Sequence, residues 1–295
     1  MTLRSFLFTP GDSLKKMEKG AAGTADALIL DLEDSVAEAN RPAARRLVHD
    51  FLTAHPLRQR QELWVRINPL DTPHARQDLA AIVTGRPDGI MLPKVRSGAD
   101  VATLSHYLDV LETAFDAPAG SIRILPVATE TPQAIFALGS YGGISPRLYG
   151  LTWGAEDLAA TLGASANRDA SGQLAFTYQM ARSLCLTGAC AADVTAIETI
   201  FPDFRNDEGL RSFAAAARRD GFYGMMAIHP NQVEIINGAF TPSASETEWA
   251  ERVIAAFEGL STGVVGLDGQ MLDMPHLKQA RRVIAIANLS ARRDA

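Results

Sequence analysis

Apolar and polar positions along the chain repeat on two scales. Strand-length apolar runs fall at residues 5–9, 27–32, 63–68, 89–93, 122–128, 147–153, 192–197 and 224–228. Between them lie longer stretches with apolar residues at helical spacing, including 42–54, 75–84, 99–115, 133–140, 174–189, 207–220 and 230–237. Eight strands, each followed by a helix, is the count of a (β/α)₈ TIM barrel. An open doubly wound sheet is the alternative, but no G-x-G-x-x-G follows the first strand. Residues 163–173 are Gly-, Ser- and Asn-rich and read as a loop. The pattern divides the chain into a barrel over residues 1–240 and a C-terminal helical extension over 241–295. In that extension, 243–260 reads as a helix, 261–263 as a break, 264–275 as irregular and 276–289 as a last helix. Such a tail is surplus to a barrel, so it should cover its own rim or a neighbouring subunit.

The ends of the predicted strands carry the reactive side chains. In order they read Thr9-Pro10-Gly11, Asp31-Leu32-Glu33-Asp34, Arg66-Ile67-Asn68, Pro93-Lys94, Glu130, Glu156-Asp157, Glu198 and His229-Pro230. Barrel enzymes place their active sites on that rim, and a random scatter of charge would not select strand ends so consistently. The pattern says enzyme.

Composition narrows the partners. Hydrophobic residues make up 47% and charged residues 21% of 295 residues, ordinary for a globular chain. A net charge of -6 and the lack of a basic tract argue against nucleic acid and anionic membrane. No apolar run reaches the length of a membrane span, and Met1-Thr2-Leu3-Arg4 does not begin a signal peptide. The two cysteines, Cys185 and Cys190, read as reduced packing residues without zinc spacing, which suits a cytoplasmic enzyme.

Glu130 and Asp157 follow two consecutive strands, so parallel pairing would bring both to one sheet edge. Two hard oxygen ligands with room for water and substrate suit Mg²⁺; alternatively Thr131-Pro132 merely starts a helix as N-cap and N1. Arg66 at a strand end suits bidentate binding of a carboxylate, or else pairs with a nearby acid. Lys15, Lys16 and Lys19 follow Pro10-Gly11 and could meet phosphates, although a solvated helix face explains them as well. Asp31, Glu33 and Asp34 repel one another unless a cation faces them; we expect Glu33 and Asp34 to orient metal-bound waters, the alternative being pairing with Arg41, Arg45 or Arg66. His229 reads as a base or as a hydrogen-bonded rim residue. Asp268 and Asp273 lie in a Gly-rich stretch where turn-forming Asp is common. Lys94 is the one Schiff-base candidate, at the end of an early strand, so metal-assisted stabilisation of an enolate reads better.

The segments Arg4-Ser5-Phe6-Leu7-Phe8-Thr9-Pro10-Gly11, Leu30-Asp31-Leu32-Glu33-Asp34-Ser35-Val36, Arg66-Ile67-Asn68, Leu92-Pro93-Lys94 and Glu130-Thr131-Pro132 resemble those of the citrate lyase beta-subunit-like family. Gly154-Ala155-Glu156-Asp157-Leu158, Ala227-Ile228-His229-Pro230-Asn231-Gln232 and residues 268–275 continue the resemblance, in order, across nearly the whole chain. The family belongs to the metal-dependent aldolases that include malyl-CoA and citramalyl-CoA lyases. The resemblance implies a barrel assembled in trimers or dimers of trimers, with Mg²⁺ on Glu130 and Asp157 and the oxo-acid carboxylate on Arg66. It implies that Asp273, on a tail covering a neighbouring subunit's active site, is the acid–base group at the acyl-CoA methyl carbon. It also implies CoA contacts at Phe8, Lys15 and Lys19. The expected activity is a Mg²⁺-dependent lyase interconverting a malyl-, methylmalyl- or citramalyl-CoA type thioester with acyl-CoA and a 2-oxo acid. A citryl-cleaving subunit of a citrate lyase complex, a malyl-CoA thioesterase and a silent ligand-binding barrel stand as alternatives. One position departs from many relatives: Met225 stands where they carry a lysine.

Overall fold

The computed structural model describes residues 3–58, 60–170, 172–258 and 263–294. Strands and helices alternate from the start: β1 Ser5–Pro10, α1 Leu14–Ala21, β2 Ala27–Asp31, α2 Arg41–Ala54, β3 Glu62–Arg66, α3 Pro73–Ile82, β4 Gly89–Leu92 and α4 Gly98–Ala114. Then come β5 Arg123–Pro126, α5 Pro132–Phe136, β6 Gly150–Thr152, α6 Glu156–Leu162, α7 Phe176–Ala191, β7 Thr195–Glu198, α8 Asp207–Asp220, β8 Gly224–Ala227 and α9 Asn231–Phe240. The eight strands pair in parallel in the order β5-β4-β3-β2-β1-β8-β7-β6. The two ends of that order meet through the parallel bridges Ile124↔Leu148 and Val127↔Thr152. The sheet is therefore closed into the expected (β/α)₈ barrel.

The pleat sends alternate side chains to opposite faces. Inside the barrel lie Phe6, Ile29, Trp64, Met91, Leu125 and Met226. Outside, Leu7, Leu28, Leu30, Val65, Ile90 and Ile124 pack against the helices. Trp64 fills the interior because Gly89 on the next strand has no side chain: a Cβ there would sit 2.3 Å from the indole ring. Met225 packs in the outer layer and its neighbour Met226 in the inner one. The position where the resemblance leads us to expect a lysine thus lies between strand and helices.

The β5–β6 seam is thin, and a buried ion pair reinforces it. Arg147, just before β6, donates from Nη1 and Nη2 to Glu112 of α4 at 2.8 and 2.5 Å. Glu112 also accepts the backbone N–H groups of Gly120 and Ile122 at 2.7 and 3.1 Å, fixing the entry to β5. Both side chains are buried. Above this point Ala128 donates its N–H to the Thr152 carbonyl at 2.7 Å. The two chain segments that carry Glu130 and Asp157 thereby leave the barrel side by side.

The tail is more regular than its sequence suggests. Helix α10 Ala244–Phe257 opens with a capping box between Ser243 and Glu246. Residues 259–262, where that helix was expected to end and break, lie outside the described residues. The stretch expected to be irregular is a hairpin, β9 Val264–Leu267 with β10 Gln270–Asp273, followed directly by α11 Met274–Asp294. Its turn residues Asp268 and Gly269 have φ of 50° and 78°, the left-handed pair that an Asp-Gly hairpin turn takes. Ala250, Val253, Leu272 and Ala280 give the tail a small core of its own. Cys185 is buried and Cys190 exposed, both as free thiols. Among the described residues no helix is long and apolar enough to cross a membrane.

Replacing Glu112 with Ala leaves Arg147 buried without its main partner, a loss of about 3 kcal/mol or more. Urea unfolding of Glu112→Ala should show that loss; a change below about 1 kcal/mol would mean that the pair does not reinforce the seam.

Candidate active site

All eight strands contribute to one cleft at their C-terminal ends, with a volume of about 440 Å³. Its floor is the top of the barrel interior, where Phe8, Met91, Val127 and Met226 are apolar and Thr152 is the polar exception. The Thr152 hydroxyl is buried with no hydrogen-bond partner. The acids of the rim stand above this floor.

Arg66 closes one wall. Its guanidinium lies 4.8 Å from the centre of the Phe8 ring. Nε and Nη2 donate to the two Asp31 oxygens, each at 2.7 Å, and Nη1 lies 3.0 Å from Glu33. A guanidinium has five N–H groups, so these contacts leave donors for a ligand carboxylate. Asp31 is buried and also accepts the N–H groups of Glu33 and Ser35 at 3.0 and 3.1 Å. Burial alone would raise its pKa, but the hydrogen bonds and charge of Arg66 outweigh it and hold the carboxyl below its usual range. Asp31 therefore serves as the brace of Arg66 and of the turn after β2.

Glu130 and Asp157 line the same cleft. Glu130 is buried, and its Oε2 accepts the Lys94 N–H at 2.6 Å. Gly154 lies against it: a Cβ there would come within 3.1 Å of Glu130 Cγ. Burial, together with the charges of Asp157 and Glu33, pushes the Glu130 carboxyl up to about 8. Asp157 is a first-turn residue of α6, where the helix dipole favours an acid. Thr131 does cap α5, accepting from the Ala134 N–H at 3.2 Å, with Pro132 at the first position. Thr131 thus starts the helix, and Glu130 one residue earlier lines the cleft.

Lys94 spans the acids. Its ammonium lies 2.5 Å from Glu33, 3.4 Å from Asp34 and 3.5 Å from Asp157. Burial disfavours its charge, but the bond to Glu33 and the attraction of Glu33, Asp157 and Asp34 hold it firmly protonated. A protonated, ion-paired amine is no Schiff-base nucleophile. Glu33 and Asp34 thus pair with Arg66 and Lys94; Arg45 is committed to Asp78 at 2.6 Å.

The donor set fits Mg²⁺. Glu130 and Asp157 are hard oxygen donors, and the surrounding acids leave excess negative charge that a divalent ion would neutralise. Among the described residues no cluster of three or more His, Cys, Asp or Glu forms a ready cage. Two protein carboxylates with water and substrate oxygens completing the shell is an arrangement Mg²⁺ takes.

Other expected site residues lie elsewhere. Asp273 ends the tail hairpin, half exposed and 2.6 Å from His276 Nδ1, and does not line the cleft of its own chain. Lys15 and Lys19 are exposed on α1, without an acidic partner among the described residues, while Phe8 is in the cleft. His229 stacks on Phe204 at 4.9 Å. Glu198 is buried against Arg182 and Trp153, and Asp268 pairs with Arg252 at 2.5 Å. The sequence reading considered Lys94 only as a nucleophile and missed its place among the acids. Its position after Pro93 at a strand end was the available signal.

Because the native Asp31 pKa is lowered from 3.8, its contribution to stability is complete above that value and is lost as pH falls through the native one. Asp31→Asn should cost about 3 kcal/mol at neutral pH, leaving Arg66 partly uncompensated. It should also flatten the acid limb of stability below pH of about 4. Unfolding curves at several pH values check this; an unchanged acid limb would contradict it.

Residues 4–230 match the family described as HpcH/HpaI aldolase/citrate lyase. The chain is 34% identical to citrate lyase subunit beta of Haemophilus influenzae, over 99% of each chain. It is 36% identical to a (3S)-malyl-CoA thioesterase of Cereibacter sphaeroides, covering 98% of this chain and 95% of that one. Protein CitE of Mycobacterium tuberculosis, solved in complex with magnesium, acetoacetate and coenzyme A, superimposes with a TM-score of 0.79 at 34% identity, covering 97% of this chain and 98% of the other.

Proposed function

Since the chain belongs to the HpcH/HpaI aldolase/citrate lyase family, we propose that it is a Mg²⁺-dependent lyase that cleaves or forms a malyl-, methylmalyl- or citramalyl-CoA type thioester. Its products in cleavage are an acyl-CoA and a 2-oxo acid. The observation that carries this reading is the convergence in one cleft of Glu130 with Asp157 and of Arg66 braced by Asp31. A relative solved with magnesium and coenzyme A supports it.

In this reading Glu130 and Asp157 hold the metal, and Arg66 fixes the oxo-acid carboxylate through its remaining N–H groups. When bound, the ion supplies Lewis acidity that polarises the 2-oxo oxygen. Glu33 and Asp34 orient the waters around it. The exposed ammonium groups of Lys15 and Lys19 meet the phosphates of CoA, and Phe8 contacts the cofactor at the cleft. Asp273 acts from the tail of a neighbouring copy, in a homotrimer or dimer of trimers, with residues 241–295 as the covering unit over a barrel of residues 1–240. His276 keeps the Asp273 carboxylate oriented. In condensation Asp273 takes a proton from the acyl methyl group, and the resulting carbanion forms a carbon–carbon bond to the keto carbon. The carbonyl π pair moves onto the keto oxygen, which takes a proton from solvent water. Cleavage reverses these steps, with Asp273 returning its proton to the methyl carbon.

Two further outcomes have support among the relatives. The likeness to a (3S)-malyl-CoA thioesterase favours hydrolysis of the condensed thioester on the same scaffold. The likeness to citrate lyase subunit beta favours a citryl thioester carried by a partner protein.

Purified protein with Mg²⁺ and a panel of malyl-, citramalyl- and citryl-CoA separates these outcomes when free CoA and 2-oxo acid are followed independently. Oxo acid appearing with acyl-CoA is the expected result; free CoA without oxo acid would mean a thioesterase, and silence on all three would contradict a stand-alone lyase. Glu130→Gln and Asp157→Asn should each abolish Mg²⁺-dependent turnover, and full activity of either after EDTA treatment would remove the metal site. Asp273→Asn should lower kcat by a factor of about 10² to 10⁴ with oxo-acid binding retained. Lost binding at an unchanged rate would contradict its role.

A further inference from the structure

Lys94 follows β4 with φ of +51°, a left-handed conformation that disfavours any residue with a Cβ. Glycine would take it freely and would still present the backbone N–H that Glu130 accepts at 2.6 Å. What lysine adds to the position is its side chain. That side chain reaches Glu33 at 2.5 Å and Asp157 at 3.5 Å, from two other strand ends, with Asp34 at 3.4 Å. Arg66, the other cation in the cluster, lies against Asp31 and Glu33. Among the described residues Lys94 alone brings a cation within 4.0 Å of Asp157.

A lysine ammonium and a divalent ion make the same demand on a carboxylate, since both need its negative oxygens. Asp157 cannot serve both fully. With the ammonium in place, the acids are drawn together and partly neutralised. A metal ion entering that space meets the repulsion of a positive charge already there.

From this geometry we propose that Lys94 is a positioning residue, the resident counter-ion of the metal site. It keeps Glu33 and Asp157 assembled while the divalent ion is away, and it competes with that ion for Asp157, so that the metal is held loosely and exchanges. The inference rests on the metal reading of Glu130 and Asp157 and goes beyond it by assigning what sets the affinity.

The test is Mn²⁺ binding to the full-length protein without substrate, read as the free-ion signal in electron paramagnetic resonance. Wild type is compared with Lys94→Met, Lys94→Gly and Lys94→Arg. Removing the ammonium in Lys94→Met and Lys94→Gly should tighten Mn²⁺ binding about tenfold or more, as expected for the loss of a like charge at this range. The rise in Tm produced by Mn²⁺ should grow with it, while Lys94→Arg should stay near wild type. Lys94→Gly decides the matter, because glycine relieves the backbone conformation and retains the N–H. Unchanged or weaker Mn²⁺ binding in that variant overturns the proposal and leaves the metal site standing. Mn²⁺ binding that survives Glu130→Gln unchanged overturns both.

Discussion

Crowding of negative charge at one rim is the constraint on which the structure depends. Asp31, Glu33, Asp34, Glu130 and Asp157 converge from the ends of three strands. Among the described residues only Arg66 and Lys94 form ion pairs with members of this group. Like charges at this density disfavour one another's ionisation; at Glu130, burial together with the charges of Asp157 and Glu33 raises the carboxyl to about 8. A fold selected for stability alone has no use for such a cluster. A site that needs a divalent cation does, because the ion restores the charge balance and fixes the carboxylates together.

The barrel delivers this crowding through its weakest junction. Seven of the eight strand pairings are continuous ladders, whereas β5 and β6 meet through isolated bridges. The same two strands lead into Glu130 and Asp157. Arg147 and Glu112 reinforce the junction from below, and the Ala128 to Thr152 hydrogen bond does so from above. Gly154 then supplies the space in which the Glu130 side chain lies. Buried ion pairs are often matched in stability by apolar packing; what this one adds is a fixed relation between two strands whose side chains must act together.

Much of this was legible in the sequence. Eight strand-length apolar runs and their intervening helices give the barrel because their period reflects which face is buried. Strand ends mark the rim for the same reason, so Arg66, Glu130 and Asp157 could be placed in one cleft before any coordinate. Side-chain partners were harder to read. Asp31 and Glu33 sit two residues apart, yet one is locked to Arg66 and the other is shared with Lys94. That division depends on strand stagger and on a left-handed residue after Pro93, which no periodicity announces. Glu198 and His229 mark strand ends as clearly as Glu130 does, but their side chains turn to Arg182 and Phe204. The tail hairpin was missed although Asp268-Gly269 carries the local signal for it, because the flanking residues alternate too weakly between apolar and polar. Asp273 was reachable only through resemblance, and within one chain it stands apart from the cleft.

A single divalent ion between Glu130 and Asp157 is the claim from which the rest follows. Crystals of the protein soaked with Mn²⁺ and pyruvate, measured at the manganese absorption edge, test it most directly. The account predicts one strong anomalous peak in contact with both carboxylates and on the Arg66 side of the cleft. A peak elsewhere with both carboxylates bare, or no peak at Mn²⁺ concentrations that support turnover, would contradict it.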